Sequence, residues 1–212
     1  SGAATNGVAS FSGVLYTASQ DGESYTLSVD DDSGIGSNLS SIQSSAISAD
    51  VVATQLVFTQ QPATSVSGQT LGTQPTVQAQ DAAGILDVDF SETISLTESA
   101  AGVLSNQTQV ASSGIAAFAS VAFTATSDGE SFTIQADDQT NVGTDLPAVA
   151  AAAITSDVVA TQLVFSQAPA GSGSGQPLAT QPVIQAQDAD GTIDSDFSET
   201  VTLTESEILS NV

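Results

Sequence analysis

An all-β fold of tandem antiparallel β-sandwiches is predicted by three observations. Apolar and polar residues alternate with period two in short runs. Gly-containing turn signals separate the runs at spacings of about 8–12 residues. The whole pattern then returns after 107 residues.

Taken along the chain, the elements follow from local chemistry. Asp21-Gly22 is a turn, and Tyr25-Thr-Leu-Ser-Val29 alternates apolar with hydroxyl side chains. Gln55-Leu56-Val57-Phe58 places Leu56 and Phe58 on one face, and Pro62 beyond it suits an edge or a bend. Ser67-Gly68 is the next turn, followed by Val77-Gln-Ala-Gln80. Thr93-Ile-Ser-Leu-Thr97 sends Ile94 and Leu96 inward and three hydroxyls outward. Val121-Ala-Phe-Thr-Ala125 and Phe132-Thr-Ile-Gln-Ala136 flank the Asp128-Gly129 turn. The Ala-rich run from Ala148 to Ala153 leads through Ile154 into a strand register and is read as strand. Pro169 and Asp190-Gly191 repeat the punctuation of the first copy.

The repeat sets the organisation. Asp50 to Phe58 returns unchanged as Asp157 to Phe165, and 35 of 49 positions from Asp50 to Glu98 match Asp157 to Glu205. Gly7-Val-Ala-Ser-Phe11 answers Gly114-Ile-Ala-Ala-Phe118, and Asp21-Gly-Glu-Ser-Tyr25 answers Asp128-Gly-Glu-Ser-Phe132. Joining Val212 to Ser1 of another copy would keep the spacing from Asn211 to Gly7 equal to that from Asn106 to Gly114. The expectation is one period of a longer array. Residues 1–50 are then the C-terminal half of one domain, 51–156 a complete domain, and 157–212 the N-terminal half of another. That last half would be completed by residues 1–50 of the next copy, so the expected partner is self, head to tail.

Seven or so short strands in each repeat point to a sandwich of immunoglobulin-like type. The pattern Ala53-Thr-Gln-Leu-Val-Phe58, Gln61-Pro62, Gly68-Gln69, Gln74-Pro75, Val77-Gln-Ala-Gln-Asp81 and Gly84 resembles tandem bacterial Ig-like repeats. Gly7 to Phe11 and Gly22-Glu-Ser-Tyr25-Thr-Leu27 resemble the second half of such repeats. The resemblance implies a giant extracellular surface protein, adhesin stalk or fibre. The chain departs from such repeats in lacking every basic residue.

Composition excludes most chemistry. The chain has no Lys, Arg, His, Cys, Met or Trp, and its formal net charge is −24. Disulfides, zinc fingers, Cys nucleophiles and Ser-His-Asp triads are absent by arithmetic. A P-loop, a Schiff base and a phosphate clamp all need a cation that is not there. Nucleic acid and anionic membranes are repelled. No apolar run reaches the ~20 residues of a membrane span, so membrane insertion is not expected. Yet 40% of residues are apolar, enough for packed cores.

Carboxylates, hydroxyls and amides remain, and no enzymatic role is expected of them. Asp32-Ser33-Gly34 matches an aspartic-protease triplet, but its repeat partner does not. Asp188, Asp190, Asp194 and Asp196 surround Gly191, and Asp81, Asp87 and Asp89 surround Gly84. Either a calcium site or a solvated acidic loop fits this spacing, because Ca²⁺ takes six to eight oxygens and Gly allows a tight wrap. Asp30-Asp31-Asp32 and Asp137-Asp138 form a further acidic pair of loops, and Asp50 and Asp157 sit at the domain junctions. Asn38 and Asn106 fit the N-glycosylation triplet, and Asn211 does so if the next copy follows. An unmodified surface fits equally.

The function expected from all this is a structural repeat of an extracellular filament or cell-surface stalk. The alternative is a calcium-dependent adhesin module that binds glycan or a partner cell.

Overall fold

The computed structural model describes residues 1–31, 36–138, 145–171 and 173–205, and these are all-β with no helix. The first fifty residues carry β1 (Glu23–Tyr25), β2 (Ser28–Val29), β3 (Ile42–Gln43) and β4 (Ile47–Ala49). Strand β1 pairs with β4, and β2 with β3, both antiparallel. The central stretch begins with β5 (Gln55–Gln60), β6 (Ser65–Val66), β7 (Thr76–Gln80), β8 (Thr93–Glu98), β9 (Val103–Ser105) and β10 (Thr108–Val110). It continues with β11 (Ile115–Ala117), β12 (Ala122–Thr124), β13 (Glu130–Phe132), β14 (Ile134–Asp137), β15 (Val149–Ala150) and β16 (Ile154–Asp157). Last come β17 (Gln162–Gln167) and β18 (Val183–Gln187), an antiparallel pair.

The larger central sheets have orders β10-β8-β14-β15 and β11-β7-β5. Alternation decides which side chains they bury. Leu56, Phe58 and Val77 from one sheet, and Ile94, Leu96 and Ile134 from the other, join a single cluster that runs from Ala53 to Val158. Phe123 and Phe132 stack within it, their ring centroids 3.8 Å apart. Burying one such side chain contributes about 1.5–3 kcal/mol, so this cluster holds the central unit together.

Two details depart from simple alternation. The run from Phe132 to Ala136 is not one strand. Strand β13 pairs with β16, whereas β14 pairs with β8 and β15, and Thr133 between them donates its N–H to Ser99 Oγ at 3.0 Å. The chain switches sheets there, and Tyr25 to Val29 divides in the same way into β1 and β2. In addition, β16 pairs with β6 in parallel rather than antiparallel. That pairing buries two hydroxyls, and Ser65 and Ser156 satisfy each other at 3.0 Å. The Ala148 to Ala153 run contains β15 and no helix.

Three local strand pairings recur 107 residues apart. Register and bulge of β17–β18, with the shift between Phe165 and Gln167, reproduce those of β5–β7 between Phe58 and Gln60. The side-chain anchor is the same: Gln60 Nε2 donates to Gln74 O at 2.7 Å, and Gln167 Nε2 to Gln181 O at 2.8 Å. Pairs β1–β4 and β2–β3 reproduce β13–β16 and β14–β15. By contrast, Thr200 to Thr204 repeats the pattern of β8 but forms no strand. Strand β8 is paired on both sides, by β10 and β14, and Thr200 to Thr204 has no such neighbours.

Candidate metal centre at two repeated junctions

Asp21 and Asp128 each begin an Asp-Gly turn, and each carboxylate reaches two distant stretches of the chain. Asp21 Oδ1 accepts hydrogen bonds from the N–H of Gly22 at 2.8 Å and of Val51 at 2.9 Å, and Oδ2 accepts from Val88 N–H at 2.9 Å. Asp128 does the same one repeat later. Its Oδ1 accepts from Val158 N–H at 2.9 Å, and its Oδ2 from Ser195 N–H at 3.0 Å and Ser195 Oγ at 2.6 Å. The second contact of each Asp lies on the loop after β7 or β18. One side chain thus ties a turn to two stretches 30 and 67 residues further along the chain.

These bonds favour the ionised form. The Val51 N–H, with help from Val88 and Gly22, holds Asp21 below the usual aspartate range. The Ser195 hydroxyl, then the N–H groups of Val158 and Ser195, do so for Asp128.

Around each staple stand further carboxylates. Carboxylate oxygens of Asp21, Asp50 and Asp89 all lie within 4.8 Å of one another, as do those of Asp128, Asp194 and Asp196. Asp87 Oδ2 accepts from Ala53 N–H at 2.7 Å, and Asp194 Oδ2 from Ala160 N–H at 2.8 Å. Asp194 Oδ1 is buried without a hydrogen-bond partner among the described residues. Asp87 shares a hydrogen bond with Asp89, and its charge adds to the effect, raising Asp89; Asp194 raises Asp196 by the same two causes. Each cluster is an oxygen-only donor set of three acids in which one is strained by its neighbours. Such a set can in principle hold a hard divalent ion.

The acids predicted from loop spacing divide between two roles. Asp89, Asp194 and Asp196 belong to the clusters, and Asp87 stands beside the first. Asp81 and Asp188 do not join them. Asp81 Oδ1 accepts from the N–H of Ala83 and Ile85, and Asp188 Oδ1 from those of Asp190 and Thr192, each at 2.8–3.0 Å. They close their own turns. Asp190 lies on the same loop, facing Val66 to Gln69 of the central unit. Asp31 and Asp138 hold their loops by accepting from Leu39 N–H at 3.0 Å and Leu146 N–H at 3.1 Å. Asn38 is exposed, while Asn106 is exposed but donates its Nδ2 to Ser120 O at 2.7 Å. Asp32 and Asn211 lie outside the described residues.

The opposed shifts make the junction sensitive to pH. Asp21 and Asp128, depressed from 3.8, stabilise the fold above that value and lose the contribution as pH falls through their folded pKa. Asp89 and Asp196, raised from 3.8, stabilise it while protonated and lose the contribution as pH rises through theirs. In chelator, thermal stability is therefore expected to peak between the two sets of values and to decline toward neutrality. Millimolar calcium is expected to remove much of that decline. A melting temperature rising steadily to neutral pH in chelator would count against the arrangement.

Neither the protein-family models nor the curated proteins compared with the chain give a match.

Proposed function

We propose that this chain is a structural repeat of an extracellular filament or cell-surface stalk, built from stacked immunoglobulin-like sandwiches. The observation that carries the reading is the junction formed twice with the same atoms. Asp21 with Val51 and Val88, and Asp128 with Val158 and Ser195, impose one geometry on successive units. A repeated unit joined by a repeated geometry generates a rod or a helix, whose stiffness is set at the joints.

In this reading residues 51–156 are one complete domain, and 1–50 and 157–212 are halves of two others. The partner is self, head to tail. Calcium at the Asp21 and Asp128 clusters neutralises carboxylates crowded at each joint and so stiffens it. The surface supports a place outside the cell. With no Lys or Arg, the chain offers trypsin-like proteases no cleavage site.

Electron microscopy of the assembled material tests this. The expected result is a rod advancing about 7–9 nm per 212 residues, from strand lengths of ~20–25 Å plus loops and joints. Random coils or isolated globules would overturn it.

A further inference from the structure

The terminal segments expose the very positions that the central unit buries. Phe58 is 8% exposed and Leu96 1%, but their repeats Phe165 and Leu203 are 53% and 61% exposed. On the other side, Phe118 is 6% exposed and Ile134 fully buried, while Phe11 and Leu27 are 55% and 42% exposed. Large apolar faces of this kind are rare on soluble surfaces and mark binding sites.

What covers these positions in the central unit is known strand by strand. Pairings β7–β11, β8–β10, β8–β14, β9–β12 and β6–β16 all join residues before Thr108 to residues from Thr108 onward. None of these five has a counterpart among the described terminal residues, whereas the pairings inside each half all do. The terminal segments have folded their local parts and lack only the long-range ones.

We propose that the face formed by residues 157–205 is closed by residues 1–50 of a second copy of this sequence, in the register of the central unit. The inference rests on reading the chain as a period of an array and deepens it by naming the interface. Ala116 opposite Val77 becomes Ala9 opposite Ile184, and Ala136 opposite Leu96 becomes Val29 opposite Leu203. Gln135 opposite Thr97 becomes Ser28 opposite Thr204. Complementation of this kind is β-augmentation on two sheets at once, with a shared core between them. Among the described residues, no strand pairing joins residues 1–50 to residues 157–205 of the same chain.

Cysteines placed at that register provide the test, since the chain has none of its own. Ser28 and Thr204 correspond to outward-facing Gln135 and Thr97, so S28C/T204C leaves the core untouched. Directly opposed strand residues have Cα atoms about 4.5–5.5 Å apart, within disulfide reach. Oxidised S28C/T204C is expected to run on a denaturing gel as a reducible ladder in steps of 21.1 kDa. Q135C/T97C, the same register inside the central unit, is expected to close within one chain and report that the fold is intact. Light scattering of the unsubstituted chain should give a mass that grows with concentration. A single 21.1 kDa band for S28C/T204C, with the control closed, overturns the interface. A ladder without rods in the microscope upholds the interface and rejects the filament; rods without a ladder do the reverse.

Discussion

Gly114→Ala is expected to lower the melting temperature of the central unit by more than about 10 °C, while Gly7→Ala, the same change one repeat earlier, leaves that melting almost unmoved. Gly114 has φ +76°, and a Cβ there would collide with Asp87 O and stand 2.8 Å from Leu86 Cδ1. The left-handed backbone costs an alanine about 1 kcal/mol, and the clash with a carbonyl costs about 2 kcal/mol more. A total near 3 kcal/mol corresponds to roughly 12–20 °C for a unit of this size. Gly7 has nearly the same backbone, φ +78°, but a Cβ there meets nothing within 4 Å. Its missing neighbour is the repeat of Asp87, namely Asp194, which another copy would supply. Gly7→Ala should therefore change melting by the small backbone term and yet abolish growth in mass by light scattering. A Gly7→Ala chain that assembles as well as its parent would show that the proposed register is wrong.

How much of this was legible in the sequence depends on range. Strands such as Gln55–Gln60 and Thr93–Glu98 were readable because alternation is local, and their inward residues are those the core buries. The repeat was readable because near-identity over dozens of positions needs no geometry. The break at Thr133 was not, since Phe132 to Ala136 alternates without interruption and only the partners of the two sides differ. The parallel β6–β16 pair was equally hidden, resting on residues 91 apart. The junction acids show the same limit. Carboxylate spacing singled out Asp194 and Asp196, which do cluster, but also Asp188, which closes its own turn. Asp21 and Asp128 read only as the first residue of an Asp-Gly turn. Their contacts lie 30 and 67 residues away, and no local signal reports them.

Asp128→Ala is expected to uncouple the central unit from the unit that follows while leaving the central core folded. The carboxylate accepts from Val158 and Ser195, and its loss frees the Ser195 N–H to water but leaves the Val158 N–H unpaired. Ser195 is exposed, but Val158 is fully buried and its N–H is left without an acceptor, so the stability change is about 1–3 kcal/mol. Orientation is affected as well, because at this joint the Asp128 carboxylate makes the three-way contact. Small-angle scattering should show a broader distribution of maximum dimension, and rods carrying the change should bend at every second joint. Asp128→Asn keeps one acceptor oxygen and puts an NH2 donor in place of the other, so it should fall between the parent and Asp128→Ala. Calcium should no longer stiffen the altered joint, since the substitution also removes one of its three clustered acids. Unchanged scattering with an unchanged melting point would place the stiffness in apolar packing between units instead of in the staple. The Asp21 joint, left intact in the same chain, supplies the internal reference for either result.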